Sequence, residues 1–345
     1  MQGVTAPDRG VHGGHRYELC ETEPGHFQIL GPDCRINTSR RRSYVGRYQY
    51  FGDTGVRAPN GCVYFAPCHA GKVLKVTAQG VAETLGPEIN GLNKYEGPGI
   101  LAPNGCIYFA PTCAAKVLCI TAAGNVETLG PELPEEDSKY TGGGMLAHNG
   151  DIYFAPHGAA RVLCITAAGI VQTLGPELPG PGKYGHGVLA ANGNMYFAPA
   201  MDPEGPLRVL CITAEGMVQT VGPEMDEGDT WGVGVLAPSG CIYFPPNYAK
   251  NVLCITAEGT VKILDPEIKG HCNYMRAGML ASNGCIYFVP YEAGKVLCIT
   301  EEGIVQTVGP ELRGRNKYWT GGVMAPNGVM YFPSPFSDNV LSITV

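Results

Sequence analysis

The sequence predicts an all-β fold, a seven-bladed β-propeller with four antiparallel strands per blade, and three features carry that prediction. First, a turn dipeptide recurs at Asn60-Gly61, Asn104-Gly105, Asn149-Gly150, Asn192-Gly193, Ser239-Gly240, Asn283-Gly284 and Asn327-Gly328, in steps of 44, 45, 43, 47, 44 and 44 residues. A fixed period in this range marks a stacked or circular repeat. Second, the apolar runs within each unit are four to six residues long, rich in β-branched and aromatic residues, and bounded by Gly, Pro and Asn. Such runs are too short for helices and read as strands. Third, the last unit stops after its third strand, and residues 26–33 near the other end of the chain match the missing fourth.

The third unit shows the order of elements. Strand a is Gly144-Met-Leu-Ala, and His148-Asn-Gly turns it into strand b, Asp151-Ile-Tyr-Phe-Ala-Pro156. Asn-Gly supplies two residues that tolerate positive φ, so it closes a tight hairpin. After a short loop comes strand c, Arg161-Val-Leu-Cys-Ile-Thr166, then an Ala-Ala-Gly turn, then strand d, Ile170-Val-Gln-Thr-Leu-Gly-Pro-Glu177. The segment His26-Phe-Gln-Ile-Leu-Gly-Pro-Asp33 matches that strand d position for position. It is expected to complete the last blade and close the ring, which separates a propeller from an open solenoid. The shared blade then draws on residues 26–33 and 323–345, residues 26–345 form one domain, and residues 1–25 are an extension outside the repeats. A glycine stands five residues before every turn (Gly55, Gly99, Gly144, Gly187, Gly234, Gly278, Gly322). It is expected on the inner strand, where crowding of seven backbones at the axis would exclude a side chain.

Composition excludes some functions. A net charge of −7 and a pI near 5.6 argue against a general nucleic-acid binder, which needs a basic face. The run Arg40-Arg-Arg42 reads as a solvated loop. No stretch reaches membrane-spanning length, and the first 25 residues lack an apolar signal core. Nine of the 14 cysteines are in phase with the repeat: Cys62, Cys106, Cys241 and Cys285 open strand b, and Cys119, Cys164, Cys211, Cys254 and Cys298 sit in strand c. Their counterparts elsewhere are Asp151, Asn194, Val329, Lys75 and Ser342. Partners replaced by Val or Lys make no disulfide, and no CxxC pair has metal spacing. An intracellular, reducing compartment is the expectation. Six units end strand d with a Pro-Glu, and strand c opens with Lys or Arg in five of them: Lys72, Lys116, Arg161, Arg208 and Lys295. Exposed cross-strand ion pairs are expected there, worth about 0–1 kcal/mol each.

The b–c and d–a loops share one face of a propeller, and here the d–a loops are the longer and more varied, so that face is the candidate functional face. It carries a repeated Lys-Tyr signature at Lys94-Tyr95, Lys139-Tyr140, Lys183-Tyr184 and Lys317-Tyr318, with Trp231 and Tyr274 in related places. Two readings stand side by side: aromatic wedges packed between blades with solvated lysines, or a ring of amphipathic groups offered to an anionic or aromatic partner. Departures from the repeat are more informative. At the top of strand a, where small residues prevail, stand Asp53, His186 and Arg276, with Glu96 and Trp319 nearby. Among the b–c loops, Cys68-His69, Cys113, His157, Tyr291-Glu292 and the insertion Met201-Asp-Pro-Glu204 also break the symmetry. A His and an Asp, with an Arg to hold an anion, suit acid–base chemistry.

The phrase Pro-Asn-Gly-Cys-Ile-Tyr-Phe-Ala-Pro (residues 103–111), followed by Lys-Val-Leu-Cys-Ile-Thr (116–121), resembles the repeats of the NHL, SMP-30/gluconolactonase-like and virginiamycin-lyase-like propellers. The resemblance covers residues 55–345 and lies in positions that build the fold. It implies a propeller and brings hydrolase and lyase chemistry into view. SMP-30-like relatives hold a divalent metal among acidic and Asn side chains at the channel; here Asp53 is the one acid at the inner positions, and the Asn residues lie in turns on the opposite face. The first expectation is therefore a non-catalytic binding or scaffolding propeller, without cofactor, presenting its loop face to a protein or a small anionic ligand. The alternative is a hydrolase or lyase at the channel mouth built on Asp53, His186 and Arg276, and a divalent metal enters only there.

Overall fold

The structure, a computed structural model, describes residues 49–50, 55–200, 207–276, 278–318, 321–334 and 339–345. These form 27 strands and no helix, arranged as six four-stranded antiparallel sheets and a seventh of three strands. The chain is a seven-bladed β-propeller, each sheet being one blade with strands a to d in chain order. Blade 3 is typical: Met145–Leu146, Ile152–Phe154, Val162–Ile165 and Val171–Leu174. Its register places Ile152 between Leu146 and Ile165, and Val162 opposite Leu174. No helix is long and apolar enough to cross a membrane among the described residues.

Each a–b turn is closed as its sequence dictates. The Gly150 N–H donates to Ala147 O at 3.0 Å, with Gly150 at a φ of +87°. Asn149 Oδ1 accepts from the Asp151 N–H at 3.0 Å, a local side-chain clamp that explains Asn before the glycine. The core lies in the seams between blades. Tyr153, Val162 and Cys164 of blade 3 pack against Met195, Phe197, Leu210 and Ile212 of blade 4, all buried. Burying each large apolar side chain contributes roughly 1.5–3 kcal/mol, so the b and c strands of blades 2 to 5 and strand c of blade 6, buried on both faces, hold those blades together.

Three expectations need comment. The repeated glycine before each turn is required by its own blade, not by the axis: a Cβ on Gly55 would sit 2.6 Å from the Phe65 ring, and one on Gly278 2.7 Å from the Phe288 ring. The predicted ion pairs mostly do not form. Among the described residues Arg161–Glu177, at 3.3 Å, is the one of the five that closes. Arg161 is anchored by a second bond, to Gly175 O at 2.9 Å, which a lysine lacks the fork to make. In blades 1 and 6 the glutamate lies against the preceding glycine instead, Glu88 on Gly71 and Glu311 on Gly294. The expected closing strand, residues 26–33, lies outside the described residues. The described cysteines are all free thiols.

Candidate functional site

The Lys-Tyr signature is built into the framework. Tyr95, Tyr140, Tyr184 and Tyr274 are buried, and each hydroxyl donates to the carbonyl that precedes strand c of its own blade: Lys116, Arg161, Arg208 and Lys295, at 2.8–2.9 Å. Trp231 Nε1 does the same with Asn251 O at 2.9 Å. The lysines are interior too, with Lys94, Lys139 and Lys183 only 1% exposed and Lys317 8%. Their Nζ groups donate to the carbonyl three residues back: Gly91 at 2.7 Å, Glu136 at 3.0 Å, Gly180, and Gly314 at 2.7 Å. Burial disfavours the ammonium and lowers all four pKa values. The lysines staple the d–a loops and are not spread over the surface. The residue before each lysine, Asn93, Ser138, Gly182 or Asn316, stands at positive φ, a pattern that sequence reading passed over. Tyr318 is buried with Lys317, and Trp319 lies outside the described residues.

Among the described residues, backbone meets backbone near the axis between blades 2, 3 and 4 and between blades 5 and 6. A Cβ on Gly97 would stand 3.1 Å from Gly142 O, one on Gly142 would strike Gly185 O, and one on Gly232 would stand 2.5 Å from Tyr274 O. Glycine at these places lets neighbouring blades touch at the channel mouth. His186 projects there. Its Nδ1 accepts from the Gly143 N–H at 3.3 Å, which leaves the ring proton on Nε2. A Cβ on Gly143 would lie 3.5 Å from His186 Nδ1 and 3.1 Å from Pro98 Cγ, so one bare glycine separates the two. The ring surface is open to the mouth, yet the surrounding backbone crowds out most of its water. That crowding, with the Arg276 guanidinium second, lowers the His186 pKa. The imidazole is therefore neutral at pH 7. Arg276 is half-buried. The structure thus brings His186 and Arg276 into one field, and Asp53 lies outside the described residues.

Glu96 is half-buried on the same rim, two residues from Pro98. Its backbone N–H donates to Thr112 Oγ1 at 3.1 Å. Burial raises its carboxyl pKa, and His69 opposes the shift. His69 Nε2 lies 2.7 Å from Asn93 Oδ1, while its Nδ1 is buried with no hydrogen-bond partner among the described residues. Among the described residues neither His157 ring nitrogen makes a well-formed hydrogen bond, the Ser138 backbone lying near without one; burial lowers its pKa, Ser138 opposes the shift and Lys183 adds to it. A carboxyl pushed up and imidazoles pushed down on one face are the environments that separate acid from base roles.

Elsewhere on the loop face a groove of about 700 Å³ lies between the blade 4–5 loop and the b–c loop of blade 5, lined among others by Asp226, Asp229, Trp231, Tyr248 and His271. Among the described residues no three His, Cys, Asp or Glu side chains gather as a metal site. The donors present at the rim do not fit the acidic and Asn-rich set that the SMP-30-like resemblance implies.

No family model and no curated protein sequence matches the chain. Solved structures do. A streptogramin B lyase is 18% identical, with a TM-score of 0.50 over 83% of this chain and 90% of that one. A catalytically inactive variant of virginiamycin B lyase from Staphylococcus aureus, with quinupristin, is 17% identical, with a TM-score of 0.53 over 84% and 94%. A protein from Lactobacillus plantarum is 13% identical, with a TM-score of 0.50 over 76% and 85%. At these identities the likeness is one of fold.

Proposed function

We propose that the protein is an enzyme of the lyase or hydrolase type that works at the loop-face mouth of its channel on a small, polar, carbonyl-bearing substrate such as a cyclic ester. One observation carries the reading: the Gly143 N–H donates to His186 Nδ1, and the crowding around the ring, with the charge of Arg276 second, favours its neutral form. An imidazole in that state presents an Nε2–H donor, suited to polarise a carbonyl and to stabilise the oxyanion or enolate that forms from it. The positive charge of Arg276 favours the same anion. Glu96 is the group to move the proton, because its raised pKa brings it nearer to neutral pH. Asp53 stays a candidate partner for that role. The architecture shared with propeller lyases supports the choice of reaction class at the level of fold.

The test is turnover of a panel of lactones, esters and cyclic depsipeptides by purified protein, with His186→Ala and Glu96→Gln beside it. The proposal expects wild-type turnover and losses of roughly 10²–10⁴-fold in each variant, with circular dichroism unchanged. Absence of turnover in the wild type, or variants of undiminished rate, would sink it. A second reading, a non-catalytic binding propeller, draws on the groove between the loops of blades 4 and 5, which lies apart from His186. Saturable ligand binding abolished by Tyr248→Ala, with no turnover, is the outcome that would favour it.

A further inference from the structure

Four of the loops that lead into strand a bury an ammonium, and the loop into blade 6 keeps the same seat without the lysine. By repeat position Lys94, Lys139, Lys183 and Lys317 correspond to Asn273, which stands one residue before the buried Tyr274. The backbone around it is the same. Gly270 has a φ of +111° and Cys272 of +53°, against +107° and +49° for Gly91 and Asn93, and +106° and +53° for Gly314 and Asn316. The Asn273 N–H donates to Asn247 O at 3.0 Å, as Lys94 does to Cys68 O at 3.1 Å and Lys317 to Tyr291 O at 2.9 Å. The side chain is what differs. A Cβ on Gly91 would lie 3.8 and 4.0 Å from Lys94 Cγ and Cδ, and one on Gly270 would lie 2.8 Å from Asn273 Oδ1. Asn273 therefore stops level with the lysine stem, two atoms short of Nζ.

The oxygens that serve the ammonium elsewhere are retained. Lys94 and Lys317 each donate from Nζ to the carbonyl three residues back at 2.7 Å, which in this loop is Gly270 O. Lys317 also reaches Glu292 O of the preceding b–c loop at 3.1 Å, and Lys183 reaches Gly158 O at 3.4 Å; the carbonyl at that place here belongs to Tyr248. Asn247 precedes it, at the position of Cys68 and His157, whose side chains feel the charge of the next loop's lysine, Lys94 and Lys183. Asn247 is 6% exposed and Asn273 1%, yet Asn247 Oδ1 and Asn273 Nδ2 are buried with no hydrogen-bond partner among the described residues. Buried polar atoms in that condition point to a bound partner. The anionic surround is kept as well. Glu267 ends strand d of blade 5 as Glu88 and Glu311 end theirs, and those two favour the charged forms of Lys94 and Lys317.

We propose that a monovalent cation of ammonium's size binds in this seat, held by Gly270 O, Tyr248 O and Asn247 Oδ1. A half-turn of the Asn273 amide about its last torsion adds a fourth oxygen. Size and charge select the ion. The lysine Nζ groups stand 2.7–3.1 Å from Gly91 O, Glu136 O, Glu292 O and Gly314 O. Magnesium needs oxygens at about 2.0–2.1 Å and calcium at about 2.3–2.6 Å, with carboxylates among them. Neutral carbonyl oxygens at the longer spacing suit potassium. The loop-face groove gives the ion an approach: Tyr248 and His271, with ring centroids 6.4 Å apart, line it together with Asp226 and Asp229. The site is separate from His186 and does not depend on the proposed activity.

Urea unfolding of the full chain in potassium, sodium and tetramethylammonium chloride at equal ionic strength tests this. The wild-type midpoint should rise as potassium replaces tetramethylammonium, with the folding equilibrium about 10-fold more favourable at ten times the dissociation constant. Sodium, being smaller, should do less. Asn273→Lys brings its own ammonium into the seat, so its midpoint should match the potassium-bound wild type and lose the difference between the salts. Asn247→Ala removes one oxygen without filling the seat and should need roughly 10-fold more potassium for the same rise. Equal wild-type midpoints in the three salts would overturn the proposal and assign the seat to water. A potassium response left unchanged by either variant would overturn it too, by placing the ion elsewhere, as would sodium acting as well as potassium. Should Asn273→Lys fail to fold, the response of Asn247→Ala decides the matter.

Discussion

Replacing Gly142 with alanine tests how the axis positions the candidate site. The new Cβ would strike Gly185 O and stand 2.7 Å from Gly185 C, where ordinary contact begins near 3.4 Å. The obstacle is backbone, so no side chain can swing aside. Either blade 3 or the Gly185-His186 segment must retreat by roughly 0.7 Å or more. Overpacking of this kind costs about 1–3 kcal/mol, and a displacement near 1 Å at reacting groups costs about 10²-fold in rate. Gly185→Ala is the matched control. Its Cβ would lie 3.5 Å from Ala200 Cβ, an ordinary contact, and its φ is not left-handed. That variant should be neutral or stabilised by up to about 1 kcal/mol. Urea unfolding followed by circular dichroism reads the stability difference, and the Gly142→Ala midpoint should fall while the slope holds. Equal midpoints for the two variants would refute the picture of blades meeting backbone to backbone at the mouth.

Two further outcomes follow from the same geometry. Tyr140→Phe removes the hydroxyl that donates to Arg161 O at 2.9 Å within the core and should cost about 1–3 kcal/mol, seen in the same urea assay. The depressed His157 and His186 also give stability a pH dependence. The unfolded chain protonates near 6.5 while the folded rings resist, so this contribution is complete above that pH and is lost as pH falls through the folded values. His157→Gln should flatten the part of the acid limb that it causes, measured as the urea midpoint against pH from 7.5 to 5.

The sequence made the architecture legible because each blade repeats the same local bargain. Asn-Gly turns, Val-Leu-Cys-Ile strands and free thiols occupy the places that their spacing demanded. The site was less legible. A lysine beside a tyrosine reads as surface, and Lys139 is interior only because the Glu136 carbonyl folds back within reach of its Nζ. Gly99 and Gly142 are both glycines of strand a or its approach, yet one clears a phenylalanine of its own blade and the other a neighbour's carbonyl; spacing alone does not tell them apart. His186 stood out because the repeat puts small residues at its place. Gly143, which fixes its tautomer, carried no signal, since the partner is a backbone N–H 43 residues away.

The state of the His186 ring is the point on which the functional account turns. Nitrogen-15 NMR of the imidazole, assigned with His186→Gln and followed from pH 5 to 8, measures it directly. The account predicts a neutral ring protonated at Nε2 at pH 7, with a pKa below 6.5 that rises when Arg276 is replaced by glutamine. A ring that is cationic at pH 7, protonated at Nδ1, or indifferent to Arg276 would contradict it.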